Sequence, residues 1–209
     1  LAWIVLLFGA ALVASLAVWS AGPQSEFAGE EHMTAAPEPK AAGEESAHEL
    51  KRAVFAGGCF WGVEHHFREV PGVVRTAVGY TGGHAANPSY EDVCSGATGH
   101  AEALEVVYDP ERVSYEDLAK LFFEIHDPAQ VNRQGPDRGE QYRSVVFYVD
   151  AEQKRIAERL IGVLQEKGLK VATQLEKADR FWRAEEYHQD YYNKKNSQPY
   201  CHVRVKRFD

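Results

Sequence analysis

The chain is poor in sulfur and in clustered positive charge. Of its 209 residues only three are cysteine and one is methionine. Three cysteines are too few for a disulfide-held scaffold, and no Cys-x-x-Cys pair offers the spacing of a structural zinc site. A formal net charge of −8, with no Lys/Arg cluster, excludes the basic face that a nucleic-acid binder needs. Neither G-x-G-x-x-G, nor a P-loop, nor His-Glu-x-x-His occurs. Nine histidines are present, but the adjacent His65 and His66 face different sides of a helix. No metal and no bound nucleotide are therefore expected. One reactive cysteine with one or two redox partners stays open on this count.

The first twenty residues, LAWIVLLFGAALVASLAVWS, carry no charge. As a helix they would span about 30 Å, enough to cross a bilayer. Residues 1–21 read as a hydrophobic signal or anchor segment. The run is longer than the roughly 7–15 apolar residues of a cleaved signal core, which favours the anchor, although Ser20, Ala21 and Gly22 would suit cleavage. Residues 22–49, rich in Ala, Gly, Pro, Glu and Ser, read as a flexible acidic linker that holds the single methionine, Met33. Residues 50–209 then form one domain, expected to be membrane-anchored or exported.

Within that domain strand and helix patterns alternate. KRAVFAGG reads as a strand ending in glycines and CFWGVEHHFREV as the helix after it. VVRTAVGYTGG and AEALEVVYD read as two further strands, the second with the alternation of a half-buried one. Ser114 caps the helix SYEDLAKLFFEIH, with Asp117 at the capping-box position. RSVVFYVD is a strand, AEQKRIAERLIGVLQEKG a helix stopped by Gly168, VATQLEKA the last strand and EEYHQDYYNKKN the last helix. The pattern predicts an α+β domain with helices covering a small sheet. Asp127–Tyr142 shows no period, and a loop of that length is often functional.

Cys59 stands between Gly57-Gly58 and Phe60-Trp61. The glycines allow a sharp turn, after which the thiol meets the N–H groups and the positive dipole end of a new helix, conditions that lower a thiol pKa. Position alone leaves two readings open, a small packing residue or a reactive thiolate. Val63 and Phe67 are placed on the core side of that helix.

GCFWGVE, PGVVRTAVGYTGG, PSYEDVCSGATGHAEALEVVYDP and HDPAQVNRQGPDRGEQYRS, in this order, resemble the peptide methionine sulfoxide reductases of the A type. The likeness runs from Val54 to Tyr148 and more loosely to the C-terminus. It implies a two-layer α+β sandwich with a mixed sheet and a ferredoxin-like, split βαβ core, ending in a long irregular tail. It also implies thiol-dependent reduction of methionine-S-sulfoxide, protein-bound, in peptides or free. Cys59 matches the family's nucleophile and Glu102 its acid, a carboxyl kept neutral by an apolar site. Tyr90 and Tyr142 match the hydroxyls that hold the sulfoxide oxygen, and Asp137 an organising carboxylate. Phe60 and Trp61 match the walls around the substrate's S-methyl group. Cys201, in a tail expected to be mobile, matches the resolving cysteine, and no further cysteine follows it. The implied partners are oxidised proteins or peptides and an external thioredoxin-like reductant, with no bound cofactor and a monomeric chain.

Without the resemblance, plainer roles remain. Alternation suggests outward-facing strand positions for Glu102 and Glu105, core packing for the tyrosines and a turn for Asp137. Cys94 reads as a buried spectator, with a backup resolving role as the lesser alternative. The competing functions are a cysteine hydrolase or acyltransferase, with Cys59 activated by His100 or His188, and a tethered binding domain with a structural cysteine.

Overall fold

A computed structural model describes residues 49–209. The predicted anchor segment and nearly all of the linker, with Met33, lie outside the described residues. Strand β1 (Lys51–Gly57) leads into helix α1 (Phe60–Arg68), followed by β2 (Val73–Thr81), the short helix α2 (Tyr90–Cys94), β3 (Ala101–Tyr108) and helix α3 (Tyr115–Ile125). A two-residue hairpin, β4 (Arg133–Gln134) and β5 (Asp137–Arg138), and a 3₁₀ turn at Glu140–Tyr142 precede β6 (Ser144–Tyr148). Helix α4 (Ala151–Glu166), β7 (Gln174–Lys177), β8 (Trp182–Arg183) and helix α5 (Tyr191–Lys195) complete the order.

The main sheet runs β7-β6-β1-β3-β2-β8. The β6–β7 pair is parallel and every other pair antiparallel. In β1-α1-β2 the two strands are parallel and separated by β3; in β3-α3-β6 the two are separated by β1. Two interlocked split βαβ units are the ferredoxin-like core that the resemblance implied. Helices cover one face, where Phe55 meets Phe67 and Phe122 at ring-centroid distances of 5.3 and 5.0 Å. Each such ring withdrawn from water contributes about 1.5–3 kcal/mol. Val63 and Phe67 of α1 face this core as expected. The other sheet face is a smaller cluster of Val54, Ala56, Ala101, Ala103, Val145 and Phe147, with Ala178 and Phe181 packed on it.

The segment 127–142, read as patternless, holds the β4–β5 hairpin and the 3₁₀ turn. VATQLEKA is not the last strand, because β8 adds an edge to β2. The final helix is shorter than its pattern, five residues entered from Asp190 in the left-handed region at φ 55°. Helix α2 is new: Ser89 accepts the Asp92 N–H at 3.2 Å, and Asp92 accepts the Ser89 N–H at 2.9 Å. The same Ser-Tyr-Glu-Asp box starts α3.

The tail is tied down rather than mobile. Glu124, at the end of α3, accepts the Arg204 guanidinium at 2.7 Å and the Arg207 N–H at 3.2 Å. The Glu124 carbonyl takes the Val205 N–H at 2.7 Å. Phe208 is buried beside Phe123. Cys201 is thus held in a short span between α5 and an anchored end. Among the described residues no helix is long and apolar enough to cross a membrane.

Candidate active site

Cys59 is the N-cap of α1, its carbonyl accepting the Gly62 and Val63 N–H groups at 3.2 and 3.4 Å. Gly58 makes the turn at φ +93°, a conformation that side chains resist. The thiol is 6% exposed and faces the Trp61 N–H. The expected lowering of its pKa is not what results. Burial, and after it the nearby Glu102, pushes the Cys59 thiol well above the free-thiol range, and the helix-end N–H offsets only part of that. In the resting site Cys59 is therefore a thiol.

Glu102 projects from β3 into the same corner. Its Oε2 accepts the Phe60 N–H at 3.1 Å, so the carboxyl takes up the first free donor of α1. At 2% exposure, burial raises it from 4.5 to about 8, with the Phe60 N–H opposing and the Asp137 charge adding. A neutral carboxyl beside a protonated thiol is the resting state near pH 7. The outward-facing alternative for Glu102 fails on strand parity. Leu104, Val106 and Tyr108 share its face under the helices, while Glu105, three residues on, lies on the opposite side and pairs with Arg52.

The remaining candidates surround this pair. Tyr90 opens α2, where its N–H is held by Glu185 Oε1 at 2.9 Å, and Tyr142 ends the 3₁₀ turn. Burial raises both phenols, and each lies within electrostatic reach of Glu102 and of the other. Asp137 and Cys201 both lie near enough to Cys59 to raise its pKa further. The Tyr200 hydroxyl donates to Asp137 at 3.0 Å. All three cysteines are free thiols. Cys94 is not a buried spectator; it is exposed, beside the Tyr90 hydroxyl. Phe60 is enclosed at 1% exposure against Tyr80 and His188, whereas Trp61 is half-buried, stacked on Tyr191 at 3.7 Å. Cys59, Glu102, Tyr90, Tyr142, Asp137, Trp61 and Cys201 therefore gather at one end of the sheet.

Residues 51–209 match the family model described as peptide methionine sulfoxide reductase. The chain belongs to that family. It is 54% identical over 156 residues to "Peptide methionine sulfoxide reductase MsrA" of Methanothermobacter thermautotrophicus, a match covering 73% of this chain and 92% of the relative. Its fold is similar to that of Mxr1 from Saccharomyces cerevisiae in reduced form. That likeness has a TM-score of 0.70 and 38% identity and covers 79% of this chain and 97% of the yeast one. It is also similar, at a TM-score of 0.50 and 27% identity, to Mxr1 crystallised in complex with Trx2, covering 79% of this chain and 96% of that one.

Against this family background the histidines of the hydrolase alternative can be placed. His100 Nδ1 accepts the Gly83 N–H at 3.0 Å and Nε2 donates to the Ala85 carbonyl at 2.7 Å. His188 Nδ1 accepts the Trp61 indole N–H at 3.1 Å, which leaves its proton on Nε2. Neither ring keeps a lone pair to activate Cys59. His188 instead fixes the Trp61 indole.

Sequence reading missed that role of His188, and it missed Glu185, which also accepts the Tyr80 hydroxyl at 2.9 Å. Both come from a segment read as regular helix, where neither carried a signal. Among the described residues no three His, Cys, Asp or Glu side chains converge as metal ligands would.

Glu102 has a consequence for stability. Unfolded, it loses its proton near 4.5; folded, it keeps it to about 8. Across that window the folded state holds the extra proton, so stability falls as pH rises. We expect Glu102→Gln to remove this part of the fall. Denaturation midpoints of variant and parent, measured at pH 5 and 8, should draw apart in the variant's favour toward pH 8. A constant difference would show that Glu102 is not held neutral.

Proposed function

We propose that this protein reduces methionine-S-sulfoxide to methionine with Cys59 as nucleophile and Glu102 as proton donor. The observation that carries the reading is the buried carboxyl at the helix end that Cys59 caps. A sulfoxide is polarised, with positive sulfur and negative oxygen. A donor on the oxygen lets the Cys59 sulfur attack the substrate sulfur. Tyr90 and Tyr142, whose phenols stay protonated, hold the oxygen beside Glu102. Trp61, backed by Phe60, gives an aromatic wall for the S-methyl group, where sulfur–aromatic contact is favourable. Asp137 organises the tail through Tyr200.

In net terms the oxygen passes to Cys59, the substrate sulfur is reduced to the thioether, and Cys59 becomes a sulfenic acid that retains the thiol's proton. Cys201 then attacks that sulfur; a disulfide forms and water leaves. An external dithiol reduces the disulfide by exchange. The complex of the yeast relative with Trx2 supports a thioredoxin-like protein in that role. Oxidised peptides are the substrates that the family description indicates, and methionine sulfoxide in a protein presents the same group.

Cys201→Ser should yield one methionine per chain and then stop with thioredoxin as reductant, while Cys59→Ser yields none. Steady turnover of Cys201→Ser equal to the parent's would remove Cys201 from the cycle. Protonated Glu102 is the donor, so methionine formation in a single turnover should fall as pH rises through about 8. Glu102→Gln should be slower by about 10²–10⁴-fold, as for other lost general acids, and should lack that fall. An unchanged profile would exclude Glu102 as the acid.

The uncharged run of residues 1–20 supports placement of the domain outside the cytoplasm, on an anchor or after export. Fractionation of the source cells with a mass measurement of the mature N-terminus checks this. Recovery only from soluble cytosol with that run intact would overturn it.

A further inference from the structure

Among the buried titratable groups of the described residues, His202 is one that the proposed cycle leaves unused although it touches a reactive sulfur. It is 3% exposed and directly follows the resolving cysteine. Its Nε2 lies 2.8 Å from the Gly57 carbonyl, an acceptor only, so Nε2 carries the proton. Nδ1 is then a lone pair, and it lies 3.0 Å from Cys201 Sγ. The only proton available to that contact is the thiol's own, and the Cys201 S–H has two acceptors within reach, His202 Nδ1 and the Asp137 carboxylate; of the two, Nδ1 belongs to the ring that the Gly57 carbonyl holds in place.

The ring sits in a seat cut for it. A Cβ at Gly62 would stand 2.2 Å from Nδ1, and one at Gly58 would stand 3.4 Å from Nε2. Both glycines flank Cys59. The groups facing the ring are Cys201, Asp137 of the β4–β5 hairpin, His66 of α1 and His126 beyond α3. His66 further holds the His202 carbonyl at 3.2 Å.

We propose that His202 is the general base of the resolving step, taking the Cys201 thiol proton on Nδ1 as the sulfur attacks the sulfenic acid of Cys59. This rests on the reductase reading above. The Cys201–Cys59 S–S bond forms and the Cys59 S–O bond breaks. The Cys201 sulfur is oxidised and the Cys59 sulfur reduced. The proton passes from Nδ1 to the departing hydroxide, giving water and restoring neutral His202. Burial holds His202 down at about 4, and burial followed by the Asp137 carboxylate holds Cys201 up at about 12, so the resting pair is neutral. The proton moves only as the S–S bond forms. Without a base, attack must wait for the small thiolate fraction.

The test uses the intact chain, free methionine-S-sulfoxide and no reductant, following methionine release, sulfenic acid by dimedone trapping, and thiol loss. Two variants divide the ring's functions. His202→Gln keeps a donor for Gly57, and His202→Asn keeps an acceptor for Cys201, but neither is a base. We expect disulfide closure to slow by about 10²-fold in both, with the sulfenic acid accumulating and the methionine burst within twofold of the parent's. Closure should be level between pH 5.5 and 8 in the parent and rise nearly tenfold per pH unit in the variants. Closure at the parent's rate in either folded variant would overturn the role of His202 alone. A burst that falls in step with closure would make the ring only a packing element and would equally overturn it. Absence of any burst from the parent would overturn the reductase reading itself.

Discussion

The burial of one carboxyl against one helix end governs this site. Glu102 meets the Phe60 N–H, and Phe60 is the first residue of the helix that Cys59 caps. Two effects compete there. A helix N-terminus favours negative charge by at most ~2 kcal/mol. Burial opposes it, and the rise of Glu102 from 4.5 to about 8 is worth several kcal/mol at ~1.4 kcal/mol per pH unit. Burial wins for the acid and for the thiol beside it. The consequence is chemical: a site with two protons ready suits a substrate whose oxygen must be protonated, and a permanent thiolate is not required of it.

The fold serves that burial. β1 and β3 are the central strands, and Cys59 lies just past the end of one while Glu102 lies near the start of the other. Because the two strands run antiparallel, the exit of β1 and the entry of β3 fall at the same end of the sheet. The two residues are 43 positions apart in sequence, and the strand pairing makes them neighbours. Tyr90 arrives through α2, whose start is held by Glu185, and Tyr142 through the 3₁₀ turn before β6. Each comes from a connection at that end, where side chains can reach the thiol without belonging to the core.

How much of this was legible depended on whether the signal was local. The core strands, α1, α3 and α4 followed from hydrophobic period, capping and a terminal glycine, all carried by consecutive residues. Helix α2 has the same Ser-Tyr-Glu-Asp box that revealed α3, but the whole helix is only five residues long, too short for a period to register. Glu102 was misjudged by alternation because Ala101 and Ala103 are as apolar as the core residues, so parity had to be counted from Leu104 and Val106. Cys59 was given a lowered pKa because a sequence displays the helix end and hides the burial. The tail was read as mobile because its restraints, Glu124 above all, lie some 80 residues earlier.

The glycines around Cys59 take on a second meaning from the same geometry. Gly58 is required by its turn, but Gly62 lies inside a helix, where glycine costs about 1 kcal/mol relative to alanine. What that cost secures is space for the His202 ring, whose Nδ1 would lie 2.2 Å from any Cβ. The helix that Cys59 caps thus also seats the histidine next to Cys201, and the Gly57 carbonyl at the end of β1 fixes that histidine's tautomer. One short stretch of backbone, Gly57 to Gly62, therefore sets the position of both thiols. A side chain larger than hydrogen at Gly62 would displace the tail's end of the pair first, and the proposed relay from one sulfur to the other would fail before the helix did.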